Sequence, residues 1–349
     1  MPFHFSKELA SSFRRDSKVY RARPRSGLVH LNARFPAVRS KACRKISPES
    51  KCLFAAFRNL VCPCASPHAA QVYTDLEDRK IMTNHLPNIA PPEFKDIARL
   101  ACLEVWGGNR SANHPVELPG LVGWIYSDPV ETENRGGDVH YISVCSKGII
   151  SRIAIADVSG HGRSSSVLAQ FLRKLIRKHI DTWDQSELMR ELNESLRSGK
   201  SDGEQYATAL LFAYYRPTRE LVFTNAGHPP PLWYHAKTKT WDWLEPATPF
   251  ATSLEGLPLG LIPGTDYVQI AVQLHRDDVL ILYTDGITEA RDKDGHMLGQ
   301  DGLMDIVRNI PADFPAFMAD RLLCAIKDFR ASLPRDDDQS FFILRQLEG

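Results

Sequence analysis

Two apolar runs constrain this chain more than any other feature. Residues 139–146 (VHYISVCS) and 149–157 (IISRIAIAD) flank Lys147-Gly148. Both runs are rich in β-branched and aromatic residues, which predicts two strands. A glycine in the short connection is free to take positive φ, so the pair reads as a hairpin with a two-residue loop. That register sets Ser146 against Ile149 and, at the far end, Asp138 against Asp157. Directly opposed residues hold their β-carbons about 4.5–5.5 Å apart, and opposed like charges destabilise the pair. A cation between the two carboxylates reverses the sign of that interaction.

The same pattern recurs downstream. The apolar run 278–284 (DVLILYT) ends in Asp285-Gly286, and 340–345 (SFFILR) is preceded by Asp336-Asp337-Asp338. A lone Asp at a strand end is an ordinary turn former. Repetition at the end of each central strand instead places several carboxylates on one sheet edge. Hard oxygen donors of this kind suit Mg²⁺ or Mn²⁺, not zinc. The body offers no HExxH, no CxxC, no GxxxxGK[ST] and no GxGxxG, which argues against zinc, P-loop and dinucleotide chemistry.

After Asp157-Val158-Ser159-Gly160-His161-Gly162 the pattern changes period and predicts a helix of about 17 residues. Val167, Leu168, Phe171, Leu172, Leu175 and Ile176 form its apolar stripe, with Ser164 or Ser165 as cap. Arg173, Lys174, Arg177 and Lys178 read as its solvated face. The helix N-terminus lies beside Asp157, where its free N–H groups suit a phosphate. A short helix is predicted at 94–105, with Phe94, Ile97, Ala98 and Ala101 on one face. Asn225-Ala226-Gly227-His228 followed by three prolines reads as a rigid corner. Residues 236–262, with Trp241 and Trp243, read as a long loop beside the site, either a lid or packing for the sheet.

Charge divides the chain. The whole carries a formal +1, yet residues 1–58 hold 14 Lys/Arg against 3 Asp/Glu, so the remainder is acidic. Residues 1–85 are expected to be a basic, disordered leader and 86–349 the globular domain. Met82, at the composition change, is read as the natural start. Cys62-Pro-Cys64 lacks the second pair a zinc finger needs. Cys102, Cys145 and Cys324 read as reduced thiols of a cytoplasmic protein. No apolar run approaches a membrane span, and the N-terminus has no signal-peptide core. Neither a membrane nor a nucleic-acid partner is expected.

Taken in order, GGD at 136–138, IADVSGHG at 155–162, TALLFAYY at 208–215, LVFTNAGHPPPLWY at 221–234, GLPLGL at 256–261, LYTDGITEARDKDGHMLG at 282–299 and DDQSFFILR at 337–345 resemble the metal-dependent PPM protein phosphatases. The likeness is to their SpoIIE/RsbU-like bacterial serine phosphatase branch, and it spans about 120–349. The resemblance implies an α+β fold, an αββα sandwich of two mainly antiparallel sheets flanked by helices. It implies hydrolysis of phosphoserine or phosphothreonine by water activated at two divalent cations, Mn²⁺ or Mg²⁺. Carried over residue by residue, Asp157 matches the bridging carboxylate and the Val158 carbonyl a ligand on one side. Asp138 matches a carboxylate on that side; Asp285 and Asp337 match carboxylates at the second cation. Asp138, Asp157 and Asp285 are thus the expected catalytic residues. Tyr141 stands where many relatives have an acid, and Ser159 where eukaryotic-type members have a histidine. His161 and His228 are read as structural. The expected partner is a phosphorylated STAS-type protein of a partner-switching pathway, with a homodimer left open. The alternative is a non-catalytic binding module on the same fold.

Overall fold

The computed structural model describes Tyr20–Arg21 and residues 103–347, except 131–134, 146–147, 161, 181, 183, 200–204, 246–255 and 332. Two sheets stack face to face. The first runs β1 (Tyr20–Arg21), β11 (Gln269–Gln273), β8 (Glu220–Ala226), β7 (Ala207–Tyr215), β6 (Ile150–Val158), β5 (Arg135–Val144), β2 (Leu103–Arg110). The second runs β10 (Thr240–Trp243), β9 (Leu232–His235), β12 (Val279–Tyr283), β13 (Gln339–Gln346), β4 (Leu121–Asp128), β3 (Ala112–Leu118). Every pairing is antiparallel except β1 with β11. This is the expected α+β sandwich.

Alternation along the strands builds three apolar layers. Ile142, Ile153, Ile155, Phe212, Phe223, Leu282 and Phe342 fill the space between the sheets. Val139, Tyr141, Ala154 and Ala156 face outward under α1 (Arg163–His179) and α2 (Gln185–Ser198). Ile281, Tyr283, Phe341 and Ile343 face α4 (Gly299–Arg308) and α5 (Pro315–Phe329) on the other side. The one-turn α3 (Asp285–Thr288) links β12 to that helical layer.

The hairpin keeps the predicted register. Val139 lies opposite Ala156, and Val144 opposite Ser151. The strands end sooner than expected. Cys145 N–H closes the ladder on the Ile150 carbonyl at 3.0 Å, leaving a wider connection in which Gly148 has φ of 62°.

Several expectations are corrected. The first helix has the predicted 17 residues, but Gly162 is its cap residue, at φ 91°, with no side-chain cap bond. Ser165 lies inside, its Oγ donating to the Gly162 carbonyl at 2.8 Å. Val167 is 58% exposed. The buried stripe runs through Ser165, Ser166, Leu168, Ala169, Leu172, Leu175 and Ile176, where small residues let the helix approach the sheet. Of the helix predicted at 94–105, residues 94–102 lie outside those described. Leu103 onward is strand, because β2 takes up the ladder hydrogen bonds of β5. The loop predicted at 236–262 is interrupted by β10, which pairs with β9 through a turn where Lys239 has φ of 57°. Trp241 is buried there against Tyr234, ring centroids 5.2 Å apart. Cys145 is free, as expected, whereas Cys324 is disulfide-bonded. Within the predicted leader, Tyr20–Arg21 form a strand; expectations for its other residues, and for Cys102, lie outside the described residues.

Candidate metal centre

The predicted aspartates come together where the ends of both sheets meet. In β5 and β6 the residues flanking Asp138 and Asp157, namely Val139, Ala156 and Val158, face the helices. Alternation therefore turns both aspartates inward, toward the second sheet. Extending the observed register by one step sets them across from each other. Asp138 is 2% exposed. A β-carbon on Gly137 would stand 2.9 Å from the Val158 carbonyl oxygen and 3.4 Å from Asp157 Oδ1. The glycine thus leaves open the space beside which those two donors lie.

The second sheet contributes from β12 and β13. Thr284, which follows β12, donates its hydroxyl to Asp138 Oδ2 at 2.9 Å and joins the two sheets across the core. Its Oγ1 also accepts the Ser340 N–H at 3.0 Å. Asp285 then opens α3. A β-carbon on the next residue, Gly286, would lie 2.0 Å from the Asp338 carbonyl oxygen, so only glycine lets the two turns touch. Asp337 is exposed and accepts the Asp338 N–H at 2.8 Å.

Crowding shows in the carboxylates' acidity. Burial, then the charges of Asp157 and Asp338, hold Asp138 well above the usual carboxylate range, against hydrogen bonds from Ser340 and Thr284. Burial, then Asp285, Asp337, Asp338 and Glu289, pushes Asp157 up to about 8. Burial, then Asp337 and Glu289, pushes Asp285 up to about 6. Besides burial, every influence raising Asp157 is another carboxylate. A buried anionic cluster of this kind calls for a cation.

The donor set fits divalent cations: hard oxygens only, from two sheets, with a main-chain carbonyl beside them. Among the described residues, the trio of potential ligand atoms mutually within 4.8 Å lies elsewhere, at Asp292, Asp294 and His296 on an exposed loop.

The departures noted in the sequence find physical places. Tyr141 is fully buried under α1 and α2, on the face away from Asp138, so an acid at that position would not face the cleft. Ser159 Oγ accepts the Tyr206 N–H at 2.9 Å, and Ser159 N–H donates to the Tyr206 carbonyl at 2.9 Å. Its hydroxyl is engaged by the backbone. His228 Nδ1 lies 2.8 Å from Thr208 Oγ1, while its N–H and carbonyl are clamped by the Asn225 side chain. Burial lowers its pKa to about 3, so the ring is a neutral fixture of the corner. His161 lies outside the described residues. Sequence reasoning missed Thr284, although it directly precedes Asp285, and Asn109. The Asn109 amide donates to the Gly136 carbonyl at 2.9 Å and to the Ser166 carbonyl at 3.2 Å, fixing α1 to the GGD strand.

The family model described as stage II sporulation protein E (SpoIIE) matches residues 151–346, more than half of the chain. The chain belongs to the SpoIIE family. It is 24% identical over 196 residues to phosphoserine phosphatase RsbP of Bacillus subtilis, covering 55% of this chain and 45% of RsbP. It is 26% identical over 169 residues to phosphoserine phosphatase RsbU of the same organism, covering 48% of this chain and 47% of RsbU. The SpoIIE-family chain thus spans about half the length of these curated relatives. The SiaA-PP2C domain of Pseudomonas aeruginosa superposes with a TM-score of 0.55 at 20% identity, over 64% of this chain and 85% of that domain. The shared fold is the PP2C sandwich. The family match begins inside β6, so it does not include Asp138.

Proposed function

We propose that this SpoIIE-family chain is a metal-dependent protein phosphatase acting on phosphoserine or phosphothreonine. One observation carries the reading: Asp138 and Asp157 from one sheet converge with Asp285 and Asp337 from the other, and burial, then the neighbouring carboxylates, raises the pKa of Asp138, Asp157 and Asp285. Asp157, the Val158 carbonyl and Asp138 would hold one cation, and Asp157, Asp285 and Asp337 a second. Two bound Mn²⁺ or Mg²⁺ ions would supply Lewis acidity and an activated water for in-line attack on phosphorus. The chain's own residues set the geometry. Thr284 holds the Asp138 carboxylate in place by its hydrogen bond. Ser159 carries an alcohol, no stronger an acid than water, so we assign protonation of the leaving serine to solvent. RsbP and RsbU bear the name phosphoserine phosphatase, which supports a phosphoprotein substrate. We extend the reading to a phosphorylated STAS-type partner in a cytoplasmic partner-switching pathway. Among the described residues, no helix is long and apolar enough to cross a membrane.

The test is hydrolysis of a phosphoserine peptide with Mn²⁺, run beside calorimetric Mn²⁺ titration. Turnover that requires Mn²⁺ and disappears in Asp157→Ala and Asp285→Ala supports the reading. Mn²⁺ binding without turnover favours a binding module, and no Mn²⁺ binding overturns the metal centre.

A further inference from the structure

Of the three consecutive aspartates before β13, Asp336 and Asp337 are exposed and Asp338 is buried, at 8% exposure. Its carboxylate is surrounded by main-chain donors. Oδ1 accepts the Val130 N–H at 2.7 Å. Oδ2 accepts the Gly137 N–H at 2.6 Å and a longer 3.4 Å contact from Asp138 N–H. All three donors lie about two hundred residues away in sequence. A carboxylate offers about four acceptor positions, and three of these are already turned to the backbone. The fit is tight: a β-carbon on Gly136 would fall 1.9 Å from Asp338 Oδ2. The main chain of Asp338 matters as well, since its carbonyl oxygen is the group that approaches Gly286 beside Asp285.

We propose that Asp338 is a positioning residue, not a metal ligand, and that it fixes the Gly136–Asp138 backbone so that Asp138 and the Val158 carbonyl face the same cation. This rests on the phosphatase reading for its purpose, but the contact itself does not. Charge-assisted bonds to main-chain N–H groups are the strong kind. An amide in place of the carboxylate retains one acceptor oxygen and presents an N–H₂ to the other donor. Gly136 and Gly137 then have a shared reason to be glycine: one admits the Asp338 carboxylate, the other the Val158 carbonyl.

The experiment uses the full chain with Asp338→Asn, Asp337→Asn and Gly136→Ala, the last also combined with Asp338→Ala. Three measurements are made: Mn²⁺ affinity and stoichiometry by calorimetry, the ¹H shift of the Gly137 amide after selective glycine labelling, and urea stability. In Asp338→Asn the Gly137 amide is expected to move upfield. Mn²⁺ affinity is expected to fall about 10–100-fold with stoichiometry retained, the usual effect of losing a partner that orients a ligand. Asp337→Asn is expected to lower stoichiometry and leave the Gly137 amide in place. Gly136→Ala is expected to destabilise the wild-type background more than the Asp338→Ala background, because the collision requires the carboxylate. An unmoved Gly137 amide, unchanged Mn²⁺ affinity in Asp338→Asn, or lost stoichiometry in that variant each overturns the proposal. None of these readouts depends on turnover, so an inactive wild-type chain that binds Mn²⁺ sinks the phosphatase reading and leaves this one decided by its own data.

Discussion

The two halves of the proposed metal centre solve one problem under different conditions. Asp138 and Asp157 hang from adjacent strands of one hairpin, and Asp138 is sealed between the sheets. Asp285 opens α3 and Asp337 precedes β13 at the end of the second sheet, where Asp337 is open to solvent. Acidity falls with burial and with the number of carboxylates nearby: Asp157 is pushed up to about 8, Asp285 only to about 6. The dry half therefore holds more unfavourable electrostatic energy in the absence of cations, and it has the more elaborate scaffold, in Thr284, Asn109 and Asp338. The comparison teaches that rigidity is concentrated where desolvation is costly, while the wet half relies on water to screen its charge.

Activity is where the halves are expected to be alike. Asp157→Ala and Asp285→Ala should each lower kcat/KM on a phosphoserine peptide by on the order of 10³-fold, since each removes metal stabilisation worth several kcal/mol. A variant of either half retaining most activity would break the symmetry. Stability without metal should separate them. In the presence of a chelator, Asp138→Asn is expected to have a higher urea midpoint than wild type, because burial and the neighbouring carboxylates disfavour the charge on Asp138. Asp337→Asn, on the exposed side, should stay within about 0.5 kcal/mol. Equal urea midpoints for the two variants would refute the dry–wet distinction.

Acid should destabilise the Asn225–His228 corner. The His228 ring is held neutral, its pKa lowered from 6.5 to about 3. The folded state therefore binds fewer protons than the unfolded chain between those values. Its contribution to stability is complete above about 6.5 and is lost as pH falls toward 3. His228→Gln should flatten the urea midpoint against pH over that window. The smallest effect belongs to the exposed loop after Asp285. His296 has a side chain 78% exposed, and His296→Gln should leave both stability, within about 0.5 kcal/mol, and kcat/KM unchanged.

Legibility in the sequence follows the same division. Period-two alternation and a glycine turn are enough to read the β5–β6 register, which runs from Val139 opposite Ala156 to Val144 opposite Ser151 and ends beside Asp138 and Asp157. The Asp-Gly ending of β12 was equally visible. Thr284 and Asp338 were not, because their value lies in contacts between distant segments: Thr284 reaches across to Asp138, and Asp338 reaches Val130 and Gly137. No local pattern encodes such partners. Val167 was misassigned for a related reason. The approach of α1 to the sheet is set by Ser165, Ser166 and Ala169, whose small size is a packing signal that hydrophobicity alone does not register.

The central place of β13 bears on how this molecule comes to exist. Gln339 pairs with Asp128 and Phe341 with Tyr283, so the strand seals a sheet whose members are far apart in the chain. Closing so long a loop costs entropy before any contact compensates it, and such non-local pairings are made slowly. The β5–β6 hairpin, by contrast, closes locally. A refolding chain is thus expected to hold Asp138 and Asp157 in register well before Thr284 and Asp338 arrive to anchor them. Cation capture then becomes a late event on the folding route, and Mn²⁺ should slow unfolding far more than it accelerates folding.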